Sequence, residues 1–174
     1  GRVELSHGSG GRAMAQLINQ LFLAAFDNEF LRPMNDQASF PVFNGRMVMS
    51  TDSHVITPLF FPGGDIGSLS VHGTINDVAM SGAKPCYLAA SFILEEGFPL
   101  SDLKRIADSM AQAARAARVP IVTGDTKVVE KGSGDGVFIT TTGIGMVPDG
   151  INISSENARP GDKILVSGTL GDHG

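Results

Sequence analysis

Residues 101–118 carry the signature that most narrows what this chain can become. Leu103, Ile106, Ala107, Met110, Ala113 and Ala114 recur at three- and four-residue spacing, one apolar stripe along a helix. Ser101 stands where an N-cap belongs, and Lys104, Arg105, Arg115 and Arg118 fall on the solvated face. The neighbouring segments are apolar and strand-like. Residues 86–95 (CYLAASFILE) read as a buried strand, Pro120–Val122 as a short one, and Val137–Val147 as a long strand of alternating β-branched and small residues.

The remaining elements interleave with these. Residues 12–26 predict a helix, with Met14, Leu17, Ile18, Leu21, Phe22 and Ala25 on its apolar side. Residues 27–46 read mostly as loop, with a short strand near Phe40–Phe43. Met47–Ser50 reads as a short strand that ends in the polar run Thr51-Asp-Ser-His54. Residues 65–81 predict a helix with Asp65 as N-cap and Gly82 as stop. Its face of Ile66, Leu69, Ser70, Gly73, Asn76, Asp77 and Met80 is unusually small and polar for a packing surface, which points to a site. Lys163–Ser167 reads as a last strand after the turn Arg159-Pro-Gly-Asp162. About three helices and six strands outside strict βαβ order predict an α+β domain with a mixed sheet. Several apolar strands with so few helices leave one sheet face or edge open, which a second copy could cover.

Composition removes several function classes. The net charge is −5, with no basic stripe, which argues against nucleic-acid binding. No run of apolar residues reaches transmembrane length, and residues 1–30 lack a secretory-signal pattern. The single cysteine, Cys86, excludes an intrachain disulfide and a CxxC metal site, and a cytoplasmic location is expected. Cys86 itself reads as a small apolar filler. Glycine is abundant, 22 of 174 residues, and clusters at segment junctions, as tight turns or loops close to a ligand require.

The candidate chemistry lies in acidic residues at segment ends. Asp36, Asp52, Asp77 and Asp125 could converge on a cation, because Mg²⁺ is held by one or two carboxylates together with phosphate oxygens and water. Structural caps are the competing reading. The run His7-Gly-Ser-Gly-Gly11 precedes a helix and exposes backbone N–H groups where anions are favoured. It is no dinucleotide fingerprint, since no βαβ unit frames it, and no lysine follows a glycine, which excludes a P-loop. Lys127, after Gly124-Asp-Thr126, is either a point charge for a phosphate or a surface lysine. His72 reads as a hydrogen-bonded core residue.

Seven blocks in register are distinctive: His7-Gly-Ser-Gly-Gly11, Asn35-Asp-Gln-Ala38, Ser50-Thr-Asp-Ser53, Gly73-Thr-Ile-Asn-Asp-Val-Ala79, Ser81-Gly-Ala-Lys-Pro85, Thr123-Gly-Asp-Thr-Lys127 and Ser167-Gly-Thr-Leu-Gly-Asp-His-Gly174. In this order they resemble the N-terminal part of the HypE family of hydrogenase maturation factors. That family lies within the PurM-like ATP-binding superfamily of aminoimidazole-ribonucleotide synthetase, selenophosphate synthetase and thiamine-monophosphate kinase.

The resemblance implies a PurM N-terminal-like mixed sheet with helices on one side, the sheets of two subunits forming a central barrel in a homodimer. It implies binding of ATP and Mg²⁺ near the subunit interface. Asp52, Asp77 and Asp125 would be the metal residues. His7, Gly8, Ser9, Gly10, Gly11, Asp36, Asn76, Gly124 and Thr126 would contact the nucleotide, and Lys127 would be the catalytic lysine. The implied activity is an ATP-dependent carbamoyl dehydratase that turns a C-terminal cysteine thiocarboxamide into a thiocyanate for the nickel–iron site. Its implied partners are the carbamoyltransferase HypF and the HypC–HypD complex. Residues 1–174 would form the N-terminal ATP-binding domain, the following segment starting at about 160–174, with the C-terminal domain and its cysteine outside this chain. The chain alone is therefore expected to be inactive. The alternatives are a small-molecule kinase or ligase of the same superfamily and a non-catalytic dimerising scaffold. A selenophosphate synthetase would carry Cys and Lys near the N-terminal glycines, and neither is present.

Overall fold

The computed structural model describes residues 1–41, 44–166 and 168–170. The chain opens with a 3₁₀ turn at Leu5–Gly8. One continuous helix follows, made of α1 (Arg12–Leu17), a π-helical stretch (Ile18–Leu23) and α2 (Ala24–Phe26). Then come β1 (Arg46–His54), the short ribbon β2 (Phe60–Phe61) and β3 (Gly64–Asp65), α3 (Ile66–Ala79) and β4 (Lys84–Glu95). Helix α4 (Leu100–Ala117), β5 (Ile121–Val129) and β6 (Val137–Val147) complete the domain.

The four long strands form one mixed sheet in the order β1-β6-β4-β5. β6 pairs antiparallel with both β1 and β4, while β4 and β5 run parallel across the α4 connection. The two edges are thus β1 and β5. Alternation along each strand sorts side chains onto two faces. His54, Ile139, Phe92 and Thr126 share one register row, and all four are buried. Leu103, Ile106, Ala107 and Met110 of α4, with Leu17, Leu21 and Phe22 of the first helix, belong to the same apolar core. The opposite face carries Met47, Met49, Ser53, Ser91, Ile93 and Asp125 and has no helix on it; Met47 is 61% exposed and Met49 72%. This is the α+β mixed sheet with helices on one side that the sequence predicts.

The caps explain where the helices begin and end. Asp65 caps α3: its Oδ1 accepts from the Ser68 N–H at 2.9 Å, and the Ser68 hydroxyl accepts from the Asp65 N–H at 3.1 Å. Helix α4 starts one residue earlier than predicted, with Pro99 at the N-cap, so Ser101 lies inside the first turn and caps nothing. Arg118 ends α4 in the left-handed region at φ 58°.

Several expectations need correction. The predicted strand Met47–Ser50 continues to His54, so Asp52 and His54 are strand residues rather than loop residues. The strand at Pro120–Val122 runs through Thr123–Lys127 to Val129. A Thr-Gly-Asp-Thr run has weak strand propensity, and pairing with β4 overrides it. Lys163–Val166 forms no strand and pairs with no strand among the described residues; Ser167 lies outside them. Phe40 and Pro41 are not in a strand, and Val42 and Phe43 lie outside the described residues, as do Gly171–Gly174 of the last sequence block. His72 is exposed on α3, not part of the core; among the described residues the buried histidine is His54. Cys86 is half-buried, beside an irregularity where β4 shifts register against β6 between Pro85 and Tyr87.

Candidate functional site

The predicted site residues assemble into two groups, one at each sheet edge. The first lies between β1 and α3. Ser50, Asp52 and His54 alternate along β1, so all three point toward the helix side of the sheet. On α3, Gly73 and Asp77 lie one turn apart, and Asn76 is on the same side. The Ser50 hydroxyl donates to Asp77 Oδ2 at 3.1 Å. Asp52 Oδ2 lies 3.3 Å from His54 Nε2. The helix passes close to this pair: a Cβ on Gly73 would sit 3.0 Å from His54 Nε2 and 3.6 Å from Asp52 Oδ2. Asp52 and Asp77 are exposed, and so are Leu69, Asn76 and Met80 on the outer stripe of α3. The helix face that looked too polar to pack is open on that stripe and buried along Ile66, Ser70, Val71, Thr74 and Val78.

A buried hydroxyl chain holds α3 in place. Thr74 and Thr141 hydroxyls are 2.6 Å apart, and Thr141 Oγ1 donates to the Ser70 carbonyl at 2.8 Å. Gly143 and Gly145 on β6 leave room for the helix, because a Cβ at either would strike Val78.

The second group surrounds β5. Lys127 Nζ and Asp125 Oδ2 form an exposed ion pair at 3.5 Å on the uncovered sheet face. Gly124 and Thr126 flank Asp125, and Thr126 is buried on the helix side. Gly124 is required by packing, since a Cβ there would overlap the Ala90 carbonyl oxygen of β4. The N-terminal glycine run reaches the same edge: Gly8 lies flat against Val128, where a Cβ would come within 2.9 Å of the valine Cβ. His7 Nδ1 accepts from the Glu4 N–H at 2.9 Å, which holds the turn. Gly10 adopts φ 77°, and Gly11 stands at the N-cap of α1, leaving the first helical N–H groups without a side-chain cap. Ser9 bonds locally, its hydroxyl donating to the Ser6 carbonyl at 2.9 Å.

Between the first helix and β5 lies a cavity of about 480 Å³. Ile18, Phe22 and Met34 line its apolar side; Asp36, Asp125 and Thr126 line its polar side. Three strand spacings separate β1 from β5, about 14 Å at ordinary sheet geometry. Asp52 and Asp125 also belong to opposite faces of the sheet. One chain therefore places Asp52 and Asp77 at the β1 edge, and Asp36 and Asp125 on one cavity at the β5 edge, but does not bring the two groups together. Among the described residues no three His, Cys, Asp or Glu side chains converge as a metal cage. That donor set suits Mg²⁺, which takes one or two carboxylates and fills its other positions with phosphate and water.

Ser50, His54 and Gly73 are site-adjacent residues that sequence reasoning left without a role. The alternation Ser50-x-Asp52-x-His54 was the available signal, but it becomes readable only once β1 is known to extend to His54. No helix among the described residues is long and apolar enough to cross a membrane.

Comparison with known proteins gives the family. Carbamoyl dehydratase HypE of Cupriavidus necator is 75% identical over 175 residues, covering all of this chain and 50% of that protein. A crystal structure of the hydrogenase maturation protein HypE in complex with ATP superposes with a TM-score of 0.88 at 54% identity, over 91% of this chain and 47% of the other. A HypE–HypF complex gives a TM-score of 0.73 at 58% identity, over 91% of this chain and 51% of that one. The chain spans about half the length of the curated relatives it matches. Residues 34–147 match the family described as AIR synthase related protein, N-terminal domain. That span runs from the loop bearing Asp36 to the end of β6 and holds both carboxylate pairs, and the chain accordingly belongs to the AIR synthase related family through its N-terminal domain.

Proposed function

We propose that this chain is the Mg²⁺–ATP-binding, dimer-forming N-terminal domain of a HypE-type carbamoyl dehydratase. The observation that carries the reading is the split of the carboxylates between two edges of a sheet whose other face is open. If the open faces of two copies meet, as the resemblance implies, the β1 edge of one copy can approach the β5 edge of the other. A polyphosphate between those edges would meet Asp52 and Asp77 from one side and Asp125, Lys127 and the glycine turn from the other. The ATP complex of the similar HypE supports nucleotide binding, and the HypE–HypF complex supports HypF as a partner. The HypC–HypD complex is proposed as a further partner on the family resemblance alone.

In the proposed reaction a C-terminal cysteine carries a carbamoyl group as a thiocarboxamide. An amide oxygen leaves poorly. Transfer of the γ-phosphoryl group from ATP onto that oxygen releases ADP and makes it a phosphate ester; its departure as inorganic phosphate, with the two amide N–H protons lost to base along the way, leaves a thiocyanate. Mg²⁺, when bound, would neutralise charge on the phosphates, with Asp52 and Asp77 as its protein ligands and Asp125 in the opposite group. Lys127 is anchored in β5 while its exposed side chain ends in an ion pair with Asp125 on the open face, so its ammonium would be able to meet charge that develops on the transferring phosphoryl oxygen. His7–Gly11 would cover the phosphates through its backbone N–H groups. Gly124 keeps β5 against β4 and so holds Asp125 and Thr126 in line, with Asp36 and Asn76 completing the nucleotide contacts.

Calorimetric titration of the full-length protein with ATP, with and without Mg²⁺, tests the reading. Asp125→Asn should weaken Mg²⁺–ATP binding by about 1–3 kcal/mol, the scale of a lost charged hydrogen bond. Unchanged affinity in a folded variant overturns the assignment of the β5 edge to the nucleotide.

A further inference from the structure

We infer that His54 is the positioning residue for Asp52: its Nε2–H orients the Asp52 carboxylate for the cation. This rests on the reading of Asp52 as a Mg²⁺ ligand. His54 is 7% exposed, with Ile139 as its cross-strand neighbour and Gly73 of α3 close above its ring. A polar ring in such a place needs a reason. Its Nδ1 is buried with no hydrogen-bond partner among the described residues. An unpartnered buried N–H costs more than an unpartnered lone pair, so the proton belongs on Nε2. Nε2 is the nitrogen that faces Asp52 Oδ2 at 3.3 Å. This is an ion-pair approach and not a formed hydrogen bond; a modest turn of either side chain would make it one, as catalytic contacts often tighten only when ligand is bound.

The surroundings permit this arrangement and little else. Gly73 leaves a slot over the pair, and a side chain there would press on Nε2 at 3.0 Å. Among the described residues His54 is the side chain paired with Asp52. A hydrogen bond from Nε2 to Oδ2 would restrict the carboxylate and leave Oδ1 for a cation. Carboxylates that ligate metals are characteristically held this way from behind, and losing the holder costs about 10–100-fold in metal affinity.

The test uses the full-length protein and three variants: His54→Leu, which keeps bulk without a donor, His54→Gln, whose amide can donate from nearly the same place, and Asp52→Asn. ATP binding is measured by calorimetry across a Mg²⁺ series, beside thermal unfolding. The Mg²⁺ concentration needed for half-maximal binding should rise about tenfold or more in His54→Leu and largely return in His54→Gln. In parallel, ¹⁵N spectra of the histidine-labelled wild type should show His54 protonated on Nε2 and bare on Nδ1. A folded His54→Leu with the wild-type Mg²⁺ requirement overturns the inference, and so does a proton on Nδ1. The spectrum decides alone if His54→Leu fails to fold. If Asp52→Asn raises the Mg²⁺ requirement while His54→Leu does not, the role of His54 falls and that of Asp52 stands. If Asp52→Asn changes nothing, both fall together.

Discussion

The Ser50 hydroxyl donates to Asp77 Oδ2 at 3.1 Å, and this contact ties the edge strand β1 to the outer stripe of helix α3. It fixes one carboxylate oxygen of Asp77 beside Asp52, two residues further along the same strand face. Ser50→Ala removes the donor and leaves an exposed carboxylate that water can solvate. The expected stability loss is therefore small, about 0.5–1 kcal/mol. The expected effect on the Mg²⁺ dependence of ATP binding is larger than that, because Asp77 loses its orientation. Urea unfolding and calorimetry on the same variant separate the two.

Gly124→Ala should be strongly destabilising. The new Cβ overlaps the Ala90 carbonyl oxygen, a backbone atom that cannot turn away, so β5 has to separate from β4. A loss of about 3 kcal/mol or more is expected, in the range of core overpacking with broken ladder bonds. Chemical denaturation measures it. Gly10→Ala is the control: open space surrounds that position, and its penalty comes from φ 77° alone.

Asp27 and Arg32 provide a pH-dependent contribution away from the site. Arg32 Nε and Nη2 donate to the two carboxylate oxygens at 2.9 and 3.0 Å, and these bonds hold the Asp27 carboxyl below its ordinary range. A carboxyl whose pKa is lowered on folding stabilises the folded state above its unfolded pKa. That stabilisation disappears as pH falls through the lowered folded value. Arg32→Gln should return the Asp27 titration toward the ordinary carboxylate value. Carbon-detected NMR titration of Asp27 in both chains checks this, with the shift in wild type expected on the acid side.

The open sheet face predicts association. Met47, Met49 and Ile93 expose apolar surface on one face of a sheet that the helices cover only on the other. Sedimentation at micromolar concentration should give a species of twice the 18.2 kDa chain mass. Met49→Lys places a charge in the middle of that face and should shift the population to monomer without loss of fold. A wild-type chain that sediments at its monomer mass overturns the pairing for residues 1–174.

Local pattern alone determined a large part of this molecule. The stripe of α4, the cap at Asp65 and the bounds Val137–Val147 follow from short-range spacing, because periodicity and capping act between residues a few positions apart. The mixed α+β sheet followed from the same signals, and the helices on one side from the family resemblance. Tertiary structure decided what spacing could not carry. Thr123–Lys127 is a strand because β4 offers a ladder and Gly124 lets it come close, though its residue types read as a loop. Lys163–Val166 looks like a strand, yet among the described residues it joins no sheet. His72, read as a core residue, is exposed, while His54, at the end of a polar run, is buried. Position 72 faces solvent because it is one step round the helix from Gly73, whereas His54 is buried because α3 packs over the end of β1. The four aspartates looked like one site in the sequence and fall into two groups at two sheet edges. Strand order and facing are set by contacts between residues far apart in the chain, and no local pattern records them.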